Sequence, residues 1–223
     1  MTAVYRIDPS LTTRAVLSRP TATELDRARA LPAATVHEAA GKIGALPRAI
    51  KPVAPSFHVC GPAVTVQSPP GDNLWLHRAI YAAHPGDILV VAVAGQFDHG
   101  YWGEIMSTAA KTRGLGGLVI DACVRDGILL EEIGFPVFSR GLCIRGTGKD
   151  FGAPGWINFP ILVGSVVVNA GDLIVGDGDG VAAVPCARID AVLAAAARRE
   201  REEANILDRL KSGETTLDIY GWS

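Results

Sequence analysis

An apolar run that ends in a charged pair constrains this chain more than any other feature. Residues 118–124, Leu-Val-Ile-Asp-Ala-Cys-Val, are followed at once by Arg125 and Asp126. A short apolar run of this kind is typical of a buried strand. Sites on α/β scaffolds usually form where such strands end. The sequence therefore predicts an α/β fold in which one buried strand runs to Asp126 and presents a guanidinium and a carboxylate.

A second half of the same site is predicted upstream. Residues 100–106, Gly-Tyr-Trp-Gly-Glu-Ile-Met, are expected to open a helix that runs from about Tyr101 to Arg113. The first N–H groups of a helix have no intrahelical partner and can hold an anion. Only 20 residues separate Glu104 from Arg125, so a helix, a loop and a strand can bring the two halves together. One fixed cation, two carboxylates and free N–H groups suit a divalent metal with a small anionic substrate.

Each of these three side chains also has a simpler interpretation. Asp126 is followed by a helical turn and could be its N-cap. Arg125 could form a surface ion pair, and Glu104 could be a first-turn acid that complements the helix dipole. Capping and metal ligation are compatible, and these alternatives stay open at the level of sequence.

Length and composition limit the classes of function. A chain of 223 residues with 48% hydrophobic content can bury one substantial core, so we expect a single domain over residues 1–223. The net charge of −2 gives no broad basic field, which argues against nucleic acid or an anionic membrane as a partner. The longest apolar run, Ile88 to Ala94, is too short to span a bilayer. A mean hydropathy of +0.25 favours buried subunit interfaces.

Compartment is predicted from the N-terminus and the cysteines. The first residues lack the cationic start and apolar stretch of a signal peptide. Four cysteines are widely spaced, with no Cys-x-x-Cys motif. Such cysteines are expected to be reduced, and the chain is expected to be cytoplasmic.

Alternating helical and strand patterns follow one another along the chain. Helices are predicted from the capping box at residues 21–24, and over residues 35–43, 73–83, 101–113, 126–133 and 187–211; strands are predicted over residues 59–67, 88–93, 118–126, 135–138, 161–168, 172–175 and 181–184. Residues 140–160 are rich in Gly, Pro and aromatic residues without periodicity. A loop of that length indicates a functional role.

Several local motifs fail on inspection. His37-Glu38 lacks the second histidine of a zinc-protease helix, and residues 146–149, Gly-Thr-Gly-Lys, lack the upstream glycine and the Ser/Thr of a phosphate loop. Residues 177–180, Asp-Gly-Asp-Gly, lack the closing glutamate of a calcium loop and are predicted to be a hairpin turn. Each of the five lysines lies in a polar or loop context, which argues against a Schiff-base mechanism.

The C-terminal helix carries an acid on its apolar side. Glu203 lies three, four and seven residues before Ile206, Leu207 and Leu210, and these spacings place it on their face. Glu202, by comparison, shares a face only with Ile206. A carboxylate on an otherwise buried stripe needs a partner, and we expect no local group to neutralise Glu203. We therefore expect Glu203 to point into an interface with a neighbouring subunit.

The chain resembles the 4-hydroxy-4-methyl-2-oxoglutarate / 4-carboxy-4-hydroxy-2-oxoadipate aldolases, a family that also contains the regulator of ribonuclease E activity A. The resemblance covers nearly the whole chain and is carried by residues 34–41, 70–73, 85–88, 100–104, 119–126 and 177–185. The spacing of an acid, 20 residues and Arg-Asp is that family's signature. Glu104 stands where many of these enzymes have aspartate, which could shift its water-mediated contact with the metal.

The resemblance implies a swivelling β/β/α domain with a C-terminal helical arm, assembled as a homotrimer or homohexamer. It implies a lyase of aromatic compound catabolism that releases pyruvate together with pyruvate or oxaloacetate, and an accompanying oxaloacetate decarboxylase activity. Asp126 would bind Mg²⁺ or Mn²⁺ directly, and Glu104 and a neighbouring subunit's Glu203 would contact the metal through water. Arg125 would bind the keto oxygen, and the N–H groups of the run Gly103, Glu104, Ile105 and Met106 would bind the pyruvyl carboxylate.

A second class of function also fits the resemblance. A non-catalytic member of such a family would regulate an RNA-processing enzyme by protein contact. Retention of Glu104, Arg125 and Asp126 favours the enzyme, whose partners would be a small 2-oxo acid and other copies of itself.

Overall fold

A computed structural model describes residues 6–16 and 18–223. Its α-helices are α1 (Ala22–Arg29), α2 (Ala33–Ala39), α3 (Leu74–Ala82), α4 (Glu104–Thr112), α5 (Gly127–Ile133), α6 (Ile189–Lys211) and α7 (Thr216–Tyr220). Its strands are β1 (Lys51–Pro52), β2 (Val59–Gln67), β3 (Ile88–Ala92), β4 (Gly117–Ile120), β5 (Val137–Ser139), β6 (Trp156–Ile157), β7 (Ile161–Val163), β8 (Val166–Val168), β9 (Leu173–Asp177) and β10 (Gly180–Val184). Single 3₁₀ turns lie at Pro9–Thr12 and Cys186–Arg188.

The centre of the fold is a mixed sheet with a parallel middle. Eight strands join in the order β1-β5-β4-β3-β2-β9-β10, with β6 paired to β2. Strands β2, β3, β4 and β5 are parallel to one another, and α3, α4 and α5 connect them in turn. This is the α/β arrangement predicted from the alternating patterns, with the carboxyl ends of four strands at one edge.

Apolar side chains cover both faces of this sheet. Every residue of β3 is buried, as expected for a parallel strand between two layers. One cluster packs the sheet against α3, α4 and α5 and includes Trp75 and Phe135. A second cluster lies on the opposite face, toward the β7–β8 hairpin. Burial on both faces explains why the strands have continuous apolar runs instead of alternation.

The two elements that flank the predicted site are shorter than the sequence indicates. Strand β4 ends at Ile120, not at Asp126, although Ala122 and Val124 are fully buried. Helix α4 begins at Glu104, not at Tyr101, although Tyr101 and Trp102 are almost fully buried. In both places the side chains pack beneath loops, so their apolar character reflects burial without continuing the strand or the helix.

Other differences are at element boundaries. The second helix spans Ala33–Ala39 instead of residues 35–43, because Gly41 and Lys42 adopt positive φ values of 84° and 62° and end it. Residues 161–168 form a hairpin instead of one strand, with the turn at Gly164, whose φ is +61°. The helix α7 is an addition that the sequence does not predict.

The buried side chains of helix α6 all lie in its first turns. Its residues Ile189, Val192, Leu193 and Ala196 are buried in a cluster with α1, α2 and the β9–β10 hairpin. Further along, Leu207 is 54% exposed. The predicted apolar stripe is therefore covered at its start and open toward its end. In the part of the chain that the structure describes, no helix is long and apolar enough to cross a membrane.

Candidate active site

The site is assembled from the connections that follow the parallel strands at their carboxyl ends. The backbone N–H of Tyr101, after β3, donates to the carbonyl of Cys123, after β4, at 3.2 Å. The N–H of Arg125 donates to the carbonyl of Trp102 at 2.9 Å. These two bonds hold residues 100–104 beside residues 123–126, which is the juxtaposition that the sequence spacing predicts.

The long connection after β5 contacts both of these segments. The N–H of Cys143 donates to the carbonyl of Val124 at 2.8 Å, and the N–H of Gly100 donates to the carbonyl of Arg145 at 2.8 Å. Further along, the N–H of Gly148 donates to the carbonyl of Gly71 at 2.7 Å. The loop predicted to be functional therefore bridges the connections that follow three other strands.

A cavity of about 420 Å³ lies between these connections. Its lining includes every predicted site residue except Glu203: Gly103, Glu104, Ile105, Met106, Arg125 and Asp126. Other cavities are larger, for example one of about 610 Å³ at the opposite end of the sheet. The smaller cavity is the candidate active site because Arg125, two carboxylates and the N-terminus of α4 all line it.

Asp126 joins the two segments that form the site. Its backbone is left-handed, with φ 63° and ψ 36°, and its side chain does not cap the helix α5 that follows it. The carboxylate turns instead to α4, where Oδ2 accepts a hydrogen bond from the N–H of Glu104 at 3.0 Å. Asp126 therefore occupies the N-cap position of α5, as the simple interpretation expects, but its side chain bonds to another helix. A left-handed non-glycine residue is costly, and here it aims a carboxylate into the cavity.

Two glycines allow the close approach of these segments. A Cβ on Gly103 would lie 2.3 Å from Asp126 Oδ2, and a Cβ on Gly100 would lie 2.5 Å from the carbonyl oxygen of Cys143. Contacts this short do not occur in real structures, so any side chain at these positions would displace its neighbour. The glycines in the run of residues 100–104 are needed to build the site, and they leave the start of α4 open to a ligand.

Arg125 and Glu104 are both available for binding. The Arg125 side chain is 49% exposed, and its Nε lies 3.7 Å from Asp126 Oδ2, too far for a hydrogen bond. Among the described residues Glu104 forms no ion pair. The N–H groups of Ile105 and Met106 lie in the first turn of α4, where no intrahelical acceptor exists. A substrate anion could occupy this turn, since Asp126 uses only the N–H of Glu104.

The donor set fits a hydrated divalent cation. Within residues 6–16 and 18–223, no group of three or more His, Cys, Asp or Glu side chains is close enough together to hold a metal. Asp126 Oδ2 is engaged by Glu104, and Oδ1 has no hydrogen-bond donor within the described residues. One carboxylate oxygen and a nearby second acid suit Mg²⁺, which keeps several waters and takes only one or two protein carboxylates.

The structure places Glu203 away from this cavity in the same chain. It lies on α6, and its Oε1 is 2.7 Å from Nε of Arg199, one turn earlier. The expectation that Glu203 has no local partner is therefore wrong, because the arginine four residues before it neutralises it. The side chain is 43% exposed. Its predicted delivery to a neighbouring subunit's metal stays a prediction.

Four further polar side chains line the cavity that sequence reasoning did not assign: Asn73, His77, Thr147 and Lys149. Asn73 Nδ2 donates to the carbonyl of Tyr101 at 2.9 Å, and its buried Oδ1 has no hydrogen-bond partner among the residues that the structure describes. Burial and, to a smaller extent, the charge of Lys149 lower the pKa of His77. The unusual composition of residues 140–160 was the available signal for Thr147 and Lys149.

Comparison with known proteins gives one family and several relatives. The family model described as "RraA-like: Aldolase/RraA" matches residues 33–183. A protein of Halalkalibacterium halodurans named "Putative 4-hydroxy-4-methyl-2-oxoglutarate aldolase" is 37% identical over 175 residues, which cover 78% of this chain and 82% of that protein.

Solved structures share the fold. The crystal structure of an uncharacterized protein from Pseudomonas syringae pv. tomato superposes with a TM-score of 0.79 at 28% identity, covering 91% of this chain and 94% of the other. Streptomyces coelicolor RraAS2, described as an unusual member of the RNase ES inhibitor RraA protein family, gives 0.74 at 24% identity, covering 85% and 98%. The second likeness is evidence for the fold alone.

Proposed function

This chain belongs to the RraA-like family, and on that basis we propose that it is a lyase that cleaves 4-hydroxy-2-oxo acids and releases pyruvate. The observation that carries the proposal is the contact of Asp126 Oδ2 with the N–H of Glu104 at 3.0 Å, beside Arg125 in one cavity. This arrangement gives an electrophilic site for a 2-oxo carboxylate.

Substrate binding follows from the start of α4. The pyruvyl carboxylate accepts hydrogen bonds from the free N–H groups of Ile105 and Met106, where the helix dipole favours an anion. Arg125 donates to the keto oxygen. Its guanidinium is half exposed and not committed to Asp126, so it can make that contact without breaking a hydrogen bond.

Cleavage of the C3–C4 bond leaves its electron pair on C3 as the enolate of pyruvate. The proton of the 4-hydroxyl leaves as the new carbonyl forms, and a water held by Glu104 accepts it. Negative charge that develops on the keto oxygen is stabilised by Arg125, which acts on charge that exists only along the reaction path. A proton returned to C3 completes pyruvate.

A divalent cation at Asp126 supplies electrophilic stabilisation of the enolate when it is bound. Asp126 would hold the cation directly. Glu104 and a neighbouring subunit's Glu203 would contact it through water. Mg²⁺ and Mn²⁺ both accept oxygen ligands of this kind. Decarboxylation of oxaloacetate also produces the enolate of pyruvate, so the same groups support it as a second activity.

The assay that tests the proposal follows pyruvate release from 4-hydroxy-4-methyl-2-oxoglutarate and 4-carboxy-4-hydroxy-2-oxoadipate. Turnover of either substrate supports the lyase. Absence of turnover of both, and of oxaloacetate, in the presence of Mg²⁺ or Mn²⁺ would overturn it. The second interpretation, a non-catalytic regulator that binds an RNA-processing enzyme, would then be favoured.

The regulator interpretation has support only at the level of the family. The solved structures described as RNA-processing inhibitors are below 25% identity to this chain, so their names do not carry over. The expectation that this chain has no nucleic-acid partner stays a prediction for the same reason, as do its cytoplasmic location and its assembly as a trimer or hexamer.

A further inference from the structure

A second cation faces the cavity from the loop after β5. Lys149 lines the cavity together with His77 and Thr147, on segments that the proposed chemistry does not use. Its side chain is exposed, and among the described residues its Nζ makes no ion pair or hydrogen bond. An uncommitted lysine on the wall of an anion-binding cavity is available for a second anionic group.

The backbone on both sides of Lys149 is fixed. On one side, the N–H of Gly148 donates to the carbonyl of Gly71 at 2.7 Å, and its carbonyl accepts from the N–H of Asn73 at 3.3 Å. On the other side, the N–H of Asp150 donates to Oδ2 of Asp72. Lys149 is therefore held against the turn that starts α3, although it belongs to a loop of irregular structure.

The surroundings of Lys149 favour a carboxylate. Asp72 is 5% exposed and is already occupied by the N–H groups of Asp150 and Leu74, the second at 2.8 Å. His77 lies one turn into α3, and burial, together with the charge of Lys149, lowers its pKa. Both residues line the same cavity, and a ring N–H of His77 can donate a hydrogen bond to a carboxylate there.

We propose that Lys149, assisted by His77, binds the distal carboxylate of the substrate. Lys149 is then the residue that determines specificity for dicarboxylic 2-oxo acids. This inference rests on the proposed function. Arg125 and the start of α4 take one end of the substrate, and Lys149 takes the other. The two cations lie on separate segments of a single cavity of about 420 Å³, which is large enough for a substrate of this class.

Binding of two non-cleavable acids of equal chain length isolates this contact. 2-Oxoglutarate carries a carboxylate at C5, whereas 2-oxopentanoate carries a methyl group there, and the two share the carboxylate and keto group at the other end. Calorimetry in Mg²⁺ buffer on the native protein is expected to show about tenfold tighter binding of 2-oxoglutarate, the lower range for a charge-assisted hydrogen bond at an exposed site.

Substitution of Lys149 assigns the difference. Lys149→Met should remove most of the preference and leave 2-oxopentanoate binding unchanged, while Lys149→Arg should retain the preference. Lys211 is an exposed lysine that pairs with Asp208 on α6. Lys211→Met is therefore the matched control and should keep the native preference for 2-oxoglutarate. A native protein without the preference, or a Lys149→Met variant that keeps it, would overturn the inference.

Turnover provides a second and separate measurement. In the native protein, cleavage of 4-hydroxy-4-methyl-2-oxoglutarate should exceed that of 4-hydroxy-2-oxopentanoate, and Lys149→Met should lower kcat/KM only for the former. Absence of cleavage of both substrates would count against the proposed lyase, and the binding comparison would still decide the role of Lys149. The two failures are therefore distinguishable.

Discussion

The carboxylate of Asp126 caps a helix that is not its own: its Oδ2 accepts the N–H of Glu104, at the start of α4, at 3.0 Å. Because a left-handed backbone at Asp126 directs the side chain away from α5, the same residue joins the connection after β4 to the connection after β3. A single side chain thus sets the spacing between Arg125 and the anion-binding turn, and both the structural and the proposed metal-binding role can be tested on it.

Asp126→Asn should separate these two roles. The amide oxygen of asparagine can still accept the N–H of Glu104, so the free energy of unfolding should change little. The lost negative charge should abolish metal binding and lower turnover by at least about 100-fold, since a Lewis-acid metal is worth several kcal/mol of transition-state stabilisation. Mn²⁺ binding followed by electron paramagnetic resonance, together with thermal unfolding, measures each role; near-native Mn²⁺ affinity would contradict the assignment.

Metal dependence of the native protein is the second prediction. EDTA should abolish pyruvate release, and added Mg²⁺ or Mn²⁺ should restore it, because the cavity offers two carboxylates and an arginine for the enolate. Borohydride in the presence of pyruvate should leave the protein mass unchanged. Full activity in chelator with a covalent pyruvyl adduct would instead support a Schiff-base lysine, and Lys149 would be the first position to examine.

Arg125→Ala should lower turnover severely and leave the fold intact. The guanidinium is 49% exposed, so its removal creates no buried cavity, while the loss of enolate stabilisation should cost about 3 kcal/mol in kcat/KM. Arg125→Lys should rescue poorly because a lysine lacks the planar fork. Steady-state kinetics with a circular dichroism control checks both variants, and near-normal turnover of Arg125→Lys would show that the assigned role is wrong.

The sequence predicted which segments of the chain lie together better than it predicted where the helices and strands end. The apolar runs located the four parallel strands, and the spacing between Glu104 and Arg125 indicated two segments that the structure holds side by side. The same runs misplaced the end of β4, because Val124 is buried through backbone bonds to Gly141 and Cys143 from the loop after β5. Burial under a loop and burial in a sheet give the same pattern of side chains.

Contacts between distant segments account for what the sequence missed. Residues 146–149 failed as a phosphate loop, and nothing local shows that Gly148 bonds to Gly71 across the fold. The left-handed conformation of Asp126 likewise accompanies a contact with Glu104, a residue distant in sequence. For Glu203 the local signal was present, since Arg199 lies one turn earlier, but a pattern based on apolar neighbours does not include it.

Gly103→Ala should damage the site with little effect on the fold. The added Cβ would lie 2.3 Å from Asp126 Oδ2, so the carboxylate must move away from α4. Turnover should fall by at least about tenfold, as expected for misplaced catalytic geometry. Gly178→Ala is the matched control, because a Cβ there meets nothing within 4 Å. Equal activity of the two variants would show that Asp126 tolerates displacement.

The last prediction concerns the origin of the third acid. In its own chain Glu203 forms an ion pair with Arg199, and the Glu203 side chain is 43% exposed. Such an exposed pair contributes no more than about 1 kcal/mol to the free energy of unfolding. Glu203→Gln should therefore leave stability almost unchanged. We expect it to lose activity, because α6 is open toward its end and its acid is proposed to reach a neighbouring subunit's metal. Glu202→Gln, which removes a similar exposed pair with Arg198, should remain active.

Mixing two inactive variants tests whether the acid is shared between subunits. Glu203→Gln and Asp126→Ala protomers, combined under conditions of subunit exchange, should regenerate sites with an intact Asp126 from one chain and an intact Glu203 from another. Recovered pyruvate release would therefore show that the active site exists only in the oligomer. Mass-labelled protomers show whether subunits have exchanged. If they have exchanged and no activity returns, either both acids serve a site in the same chain or Glu203 is purely structural, because complementation requires the two residues to come from different chains.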